Sequence, residues 1–478
     1  MSMIGSRSSS ARLGALILLA SLVGACGTPG AAPQTVSPTS ASPTSALATT
    51  QAESQAPVSS PTAVPDPCPG PGQITLSFWH FESSPGAIAF LADSATAFDK
   101  LHPNVTINVT TKDFNSYLQV MPLDASGPNP PDIIYGNQGW GLDDELVKEG
   151  AIIPLDKYAA QYGWDKLYTP GVEAQLMYSA DGKEWGQGNL YGIVGGGQNA
   201  GIFYNKAKLA ALGIADPPTT IDELTADLDK AVAAGELPIM LGESDKYPAM
   251  HVYAEIQGLF MTASSINDWV YGKAGTSFDT PEQQQAAQML QTWAQKGYFG
   301  KDFNSISYDD AWARFAKGEG VFLIGGDWLA SGIEAGLKTD VGFALFPAGL
   351  NGKYAAQGSL GQPIHISSKS KYPDCAAAFL NTLVGRDAAS GLLSLGQVPM
   401  NLPSPLPSAA SDPMIQQEID AFQKVIGDNG LVLYEDFSSP TMLDTFSTAI
   451  QELMSAKLTP AQFTQTVQAD WTKFQASR

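Results

Sequence analysis

ITLSFWHFESSPGAIAFLADSATAFDKLHPNVTINV, residues 74–109, reads as strand, helix, strand. Ile74, Leu76 and Phe78 alternate with Thr75 and Ser77, the period of a half-buried strand, and the pattern runs on into Trp79, His80 and Phe81. From Pro85 to Leu101 the apolar Ile88, Leu91, Ala95 and Phe98 recur at helical spacing, and His102-Pro103 marks the stop. Val105, Ile107 and Val109 then alternate as a second strand. Two strands joined by a helix of this length form a parallel crossover unit.

Moving outward, the alternation of strand and helix continues. Asp132–Tyr135 reads as a short buried strand, and Leu142–Glu149 as a helix ended by Gly150. Gly201–Tyr204, Val321–Ile324, Val341–Leu345 and Pro363–Ile366 read as further strands. Helices are expected over Thr220–Ala234, Pro281–Lys296, Tyr308–Lys317 and Asp374–Val384, and near Ser439–Ala456 and Thr459–Phe474. The first of these has Asp222 and Glu223 in its first turn, where the helix dipole favours acids. The expected fold class is α/β with a mostly parallel, doubly wound sheet. There is no internal repeat.

The chain has 478 residues and a formal net charge of -21. Phosphate binding requires a basic face, so nucleic acid is excluded as a partner. Arginine occurs only at positions 7, 12, 314, 386 and 478, which argues against a strongly anionic ligand.

Arg7 and Arg12 precede the apolar stretch Leu13–Val23, too short to span a bilayer, which runs into Val23-Gly24-Ala25-Cys26. Residues 1–25 are therefore expected to be a signal peptide. The small residues before Cys26 resemble a lipobox, where the cysteine is lipidated after cleavage. Residues 26–72 are rich in Pro, Ser, Thr and Ala, with Glu53 and Asp66 as their only charges. They cannot bury enough apolar surface to fold and are expected to form a spacer. The expected location is the outer face of the cytoplasmic membrane, with the lipid as the only anchor. Cys68 and Cys375 form an even pair in an oxidising compartment; a disulfide and two buried thiols both stay open at this stage.

Five stretches in order resemble the family 1 extracellular solute-binding proteins, the group similar to maltose-binding protein. They are "ITLSFWHF…FDKLHP" (74–103), "PDIIYGNQGW…LVKEGAIIPLDKY" (131–158), "LYGIVGGGQNAGIFYNKAKLAALGIADPPTTIDEL" (190–224), "GEGVFLIGGDW" (318–328) and "GQPIHISSKSKYPDCAAAFLNTL" (361–383). The resemblance implies two α/β lobes, residues 73–197 plus 358–400 and residues 198–357 plus 401–478. The implied crossings lie near Gln198, Gln357–Gly361 and Val398–Leu402. A ligand between the lobes would be held by hinge closure and delivered to the permease subunits of an ABC importer by a monomer without cofactor or metal.

A sugar presents apolar faces and hydroxyl edges, so it asks for aromatic platforms and planar polar groups. By resemblance, Trp328 is the stacking residue of the second lobe, with Asp327 beside it as a hydroxyl acceptor. Asn137, Gln138 and Trp140 follow a buried strand, where ligands of open α/β sheets bind. Gln198 takes the place of an acidic contact in relatives, and Gly136 stands where maltose-binding relatives carry an aromatic residue, which implies a different ligand pose. Phe81 and Glu82 follow the first strand. Tyr253 and Trp269 match second-lobe aromatics, Ser359 sits at a crossing, and Tyr434 and Phe437 are candidates to close the cleft. A polyol, a polyamine or a glycerophosphodiester would suit the same fold.

Enzyme readings are weaker. Gly195-Gly196-Gly197 lacks the Lys-Ser/Thr of a phosphate loop, and no G-x-S-x-G is present. His251 and Glu255 are a lone pair four apart, short of a metal cluster. Asp143-Asp144 and Asp309-Asp310 read as solvated helix starts, which leaves glycoside hydrolysis a minor alternative.

Overall fold

The computed structural model describes residues 66–478 apart from Pro71, Thr169, Leu395, Asn401 and Pro403. The expected signal segment 1–25, Cys26 and nearly all of the 26–72 spacer lie outside the described residues. Among those described, the strands are β1 (Ile74–His80), β2 (Val105–Thr111), β3 (Ile133–Tyr135), β4 (Met177–Tyr178), β5 (Asn189–Leu190), β6 (Gly196–Asn205), β7 (Phe322–Gly326), β8 (Val341–Ala344), β9 (Ala356–Ser359), β10 (Ile364–Ile366), β11 (Val398–Pro399) and β12 (Leu431–Val432).

The opening stretch folds as its periodicity demands. Ile74, Leu76, Phe78 and His80 of β1 are buried, and β1 pairs in parallel with β2 from Ile74↔Val105 to His80↔Thr111. The helix Pro85–Leu101 between them starts at Ser84, whose side chain accepts from the Ala87 amide, and buries Ala87, Leu91, Ala95 and Phe98. Ile88 is 36 % exposed and faces away from that core. β3 adds on the other side of β1 in parallel, and β10 closes the sheet antiparallel to β3.

The second sheet differs from the expected parallel arrangement. Its spine is β6, all ten residues of which are buried. β7, β8, β9 and β11 all pair with β6 antiparallel, and only β12 on β9 is parallel. The segments expected to cross between lobes lie side by side here: Gln198 and Asn199 of β6 face Ser359 and Gly358 of β9, while Gly196 and Gly197 face Pro399 and Val398 of β11. Gly358 is required by that approach, because a Cβ there would stand 2.3 Å from the Gln198 carbonyl oxygen.

Cys68 and Cys375 are joined by a disulfide, with Cα atoms 4.7 Å apart. Cys68 is fully buried and its carbonyl accepts from Asn104 Nδ2 at 3.1 Å. The end of the compositional spacer thus belongs to the folded body, pinned to the helix Pro373–Val384 that carries Cys375. Among the described residues no helix is long and apolar enough to cross a membrane.

Candidate ligand cleft

A cavity of about 630 Å³ opens beyond the carboxyl ends of β1 and β3, and its opposite wall comes from the elements around the second sheet. This is where strand ends of an open α/β sheet leave room for a ligand.

Phe81 and Glu82 enter directly from β1. The Phe81 ring is held edge-on by Phe114, Tyr117 and Tyr135 at centroid distances of 5.0, 5.1 and 5.2 Å. Phe114 is the first residue of the helix Phe114–Ser126, placed there by Asp113, whose carboxylate accepts from the Ser116 amide at 2.9 Å. Glu82 Oε1 accepts from Tyr135 Oη at 2.6 Å, and burial raises the Glu82 pKa against that hydrogen bond.

The facing wall is aromatic. Tyr247 precedes the helix Pro248–Gln257, and Tyr308 is the first residue of the helix Tyr308–Phe315. The Phe114 and Tyr247 rings meet across the mouth at 5.4 Å, and Tyr247 and Tyr308 lie at the same separation. Trp328, in the turn after β7, donates from Nε1 to Tyr308 Oη at 2.6 Å and packs near His251 and Tyr434. Burial lowers the His251 pKa to about 4, so the ring is neutral near pH 7. Its Nδ1 lies 2.6 Å from Gln357 Oε1 and donates to it, because Gln357 Nε2 is itself engaged with Glu435 Oε2 at 2.9 Å.

Asn137 reaches the floor from the loop after β3. Its amide donates to Asp143 Oδ1 at 2.8 Å, and Asp143 stands 3.2 Å from His365 Nε2 on β10. Asp143 and Asp144 are therefore buried, not the solvated helix start read from sequence; burial pushes Asp144 up to about 8. Gly136 fits this packing, since a Cβ would come within 2.2 Å of His365 Nε2. Asn137 Nδ2 donates to Asp436 Oδ2 at 3.3 Å, and burial raises Asp436 to about 6.

Of the residues singled out from sequence, Phe81, Glu82, Asn137, Gln198 and Trp328 line the cavity, as do Tyr434 and Phe437. The others stand elsewhere. Asp327 is fully buried behind the wall, where Oδ2 accepts from the Asn199 amide at 3.1 Å. Gln138 turns away to donate to the Gly361 carbonyl at 3.0 Å. Trp140 packs against Trp185 and Phe474, because Gly139, at φ +84°, swings the chain away from the floor. Tyr253 is in the core, its hydroxyl on Gln283 Oε1 at 2.7 Å, and Trp269 packs on Phe278 at 4.8 Å. Ser359 is buried within the β9–β6 ladder.

Phe114, Tyr247, Tyr308 and Asp436 were not singled out. A signal exists for three of them: an aromatic residue next to a helix-starting Asp, Ser or Pro, as in Asp113-Phe114, Ser307-Tyr308 and Tyr247-Pro248. His251 and Glu255, four apart, do act together: each holds Gln357, Glu255 Oε1 by accepting from its amide at 2.8 Å.

The family model described as "Bacterial extracellular solute-binding protein" matches residues 83–390. A putative binding protein of Brucella abortus (strain 2308) is 25% identical over 321 residues, 66% of this chain and 73% of that protein. A chain solved in a study of xylan utilization by the thermophilic bacterium Caldanaerobius polysaccharolyticus superposes with a TM-score of 0.73 at 24% identity, covering 83% of this chain and 99% of that one. A chitin oligosaccharide binding protein gives a TM-score of 0.72 at 19% identity over 84% and 99% of the two chains. These likenesses show the fold, a two-lobed α/β architecture.

Proposed function

Because this chain belongs to the bacterial extracellular solute-binding protein family, we propose that it captures a carbohydrate in the cleft and delivers it to the permease of an ABC importer. In this reading residues 73–197 plus 358–400 form one lobe and residues 198–357 plus 401–478 the other. The protein acts as a monomeric receptor without catalysis, held outside the membrane by a lipid on Cys26.

One observation supports the ligand class above the others: the wall built by Tyr247, Tyr308, Trp328 and Tyr434. Flat aromatic faces match the C–H faces of a sugar ring, and Asn137 and Gln198 offer both donors and acceptors to its hydroxyls. The solved relatives described as binding chitin oligosaccharide or connected with xylan utilization agree with that choice.

The test is thermal melting of the whole chain against mono- and oligosaccharides, polyols, polyamines and glycerophosphodiesters. A ligand at one hundred times its Kd stabilises the folded state by about 2.7 kcal/mol. A shift with an oligosaccharide that Trp328→Ala reduces or removes is the expected result. A shift only with a polyamine or a phosphodiester would sink the carbohydrate reading.

A further inference from the structure

The charges of the cleft do not balance. Five carboxylates line it, Glu82, Asp113, Asp245, Asp309 and Asp436, against one ammonium, Lys112, and no arginine. Three of the five are used by the protein. Asp113 caps its own helix, Asp245 Oδ2 accepts from the Tyr308 amide at 2.7 Å, and Asp309 Oδ1 accepts from Trp312 Nε1 at 2.9 Å. Glu82 and Asp436 differ from them in burial: Asp113 and Asp309 are exposed, whereas Glu82 is half-buried and Asp436 is buried. Neither forms an ion pair among the described residues. Each accepts one side-chain hydrogen bond from a neutral group, Tyr135 and Asn137 respectively. Lys112 does not serve them: its Nζ sits 4.1 Å from the centroid of the Trp79 ring.

A carboxylate taken out of water without a cation costs free energy, and such a group persists where a partner arrives to complete it. Burial raises the pKa of both, in keeping with an incomplete site. The surroundings suit a cation twice over. Glu82 lines the cleft together with the aromatic Phe81, Tyr247, Tyr308 and Trp328, and aromatic faces attract ammonium groups. The cleft also offers acceptors, since Asn137, Gln198 and Gln362, which line it, each carry a side-chain carbonyl. An ammonium is a pure donor, with three N–H groups and no acceptor.

We infer that the ligand is an amine-bearing carbohydrate, an amino sugar or aminocyclitol unit whose ammonium is received by Glu82 against the aromatic wall, with Asp436 as the second unpaired carboxylate of the floor. This rests on the carbohydrate reading above and narrows it.

The experiment compares oligosaccharides that differ only in the substituent at carbon 2: glucosamine oligomers, their fully N-acetylated forms and the corresponding β-1,4-glucose oligomers. Affinities are measured by calorimetry at pH 7 on the whole chain and on Glu82→Gln, which keeps an acceptor for Tyr135 while removing the charge. The expected result is at least tenfold tighter binding of the amine series, weakening as salt rises, with the preference falling to about onefold in Glu82→Gln. Neutral oligomers binding as tightly as the amines would overturn this inference and leave the carbohydrate reading intact. Binding of spermidine but of no oligosaccharide would overturn both. No binding of any amine-bearing oligomer at millimolar concentration would overturn the inference as well.

Discussion

Asn137 and Asp436 are 299 residues apart in sequence, and their side chains meet at 3.3 Å on the floor of the cleft, Nδ2 donating to Oδ2. The bond joins the loop after β3 to the segment that precedes the helix Met442–Met454. That segment also carries Glu435, fully buried and bonded to Gln357. The chain thus places two adjacent acids in buried positions, Glu435 fully enclosed and Asp436 at the floor of the cleft.

Stability of the ligand-free protein is expected to fall between pH 6.5 and 8. Burial raises Glu435 and Asp144 each to about 8. Above its unfolded pKa, such an acid holds a proton only in the folded state, so its contribution is complete at low pH and is lost as pH rises through about 8. Each group supplies a slope of up to about 1.4 kcal/mol per pH unit. Below pH 6.5 the slope flattens, because His80 and His251, lowered to about 4, favour folding as pH rises. Melting temperature against pH checks this, and Glu435→Gln should reduce the slope between 6.5 and 8. A profile flat in that window would show that these acids are hydrated.

Tyr253→Phe should cost stability and leave ligand affinity alone. The hydroxyl donates to Gln283 Oε1 at 2.7 Å, and the buried ring packs on Phe446 and Phe463, away from the cleft. Removing it strands a buried acceptor, worth about 1–3 kcal/mol. Denaturant unfolding would report the loss, and calorimetry with the ligand found above would report an unchanged Kd. A tenfold weaker Kd with unchanged stability would place Tyr253 among the ligand contacts after all.

Replacing Cys68 and Cys375 together by Ser should destabilise the body by about 2–5 kcal/mol. The bridge spans 307 residues of sequence and fixes the segment before β1 to the helix Pro373–Val384. Urea unfolding of the double variant, with and without reductant on the parent, measures the difference. A change under about 0.5 kcal/mol, within the range of ordinary surface substitutions, would mean that Asn104 and the burial of the segment hold it without the bridge.

The first sheet was legible because one of its faces packs on helices, which forces the strict alternation of Ile74, Leu76 and Phe78. The second was only partly so. Gly201–Tyr204 reads as a strand, yet β6 begins at Gly196, within a glycine run that periodicity cannot assign. That run is glycine for packing reasons: a Cβ on Gly197 would stand 2.1 Å from Phe422 Cζ. The aromatic residues of the cleft divide along the same line. Trp328 and Phe81 follow strands and so could be placed, whereas Tyr253 and Tyr247 lie on or beside one helix and only tertiary packing sends one into the core and the other to the mouth.

The pairing of β10 with β3 has a consequence for the making of this protein. β1, β2 and β3 are synthesised early, but the strand that covers the edge of β3 is Ile364–Ile366, and Cys375 follows it closely. Until most of the chain has left the ribosome, the Ile133–Tyr135 edge presents unpaired backbone groups to any neighbouring strand. Such distant pairing also makes folding slow. The first sheet is therefore completed only when residues 364–366 are present, and a chain truncated before them lacks the strand that covers the Ile133–Tyr135 edge, an open edge of the kind that pairs with other chains.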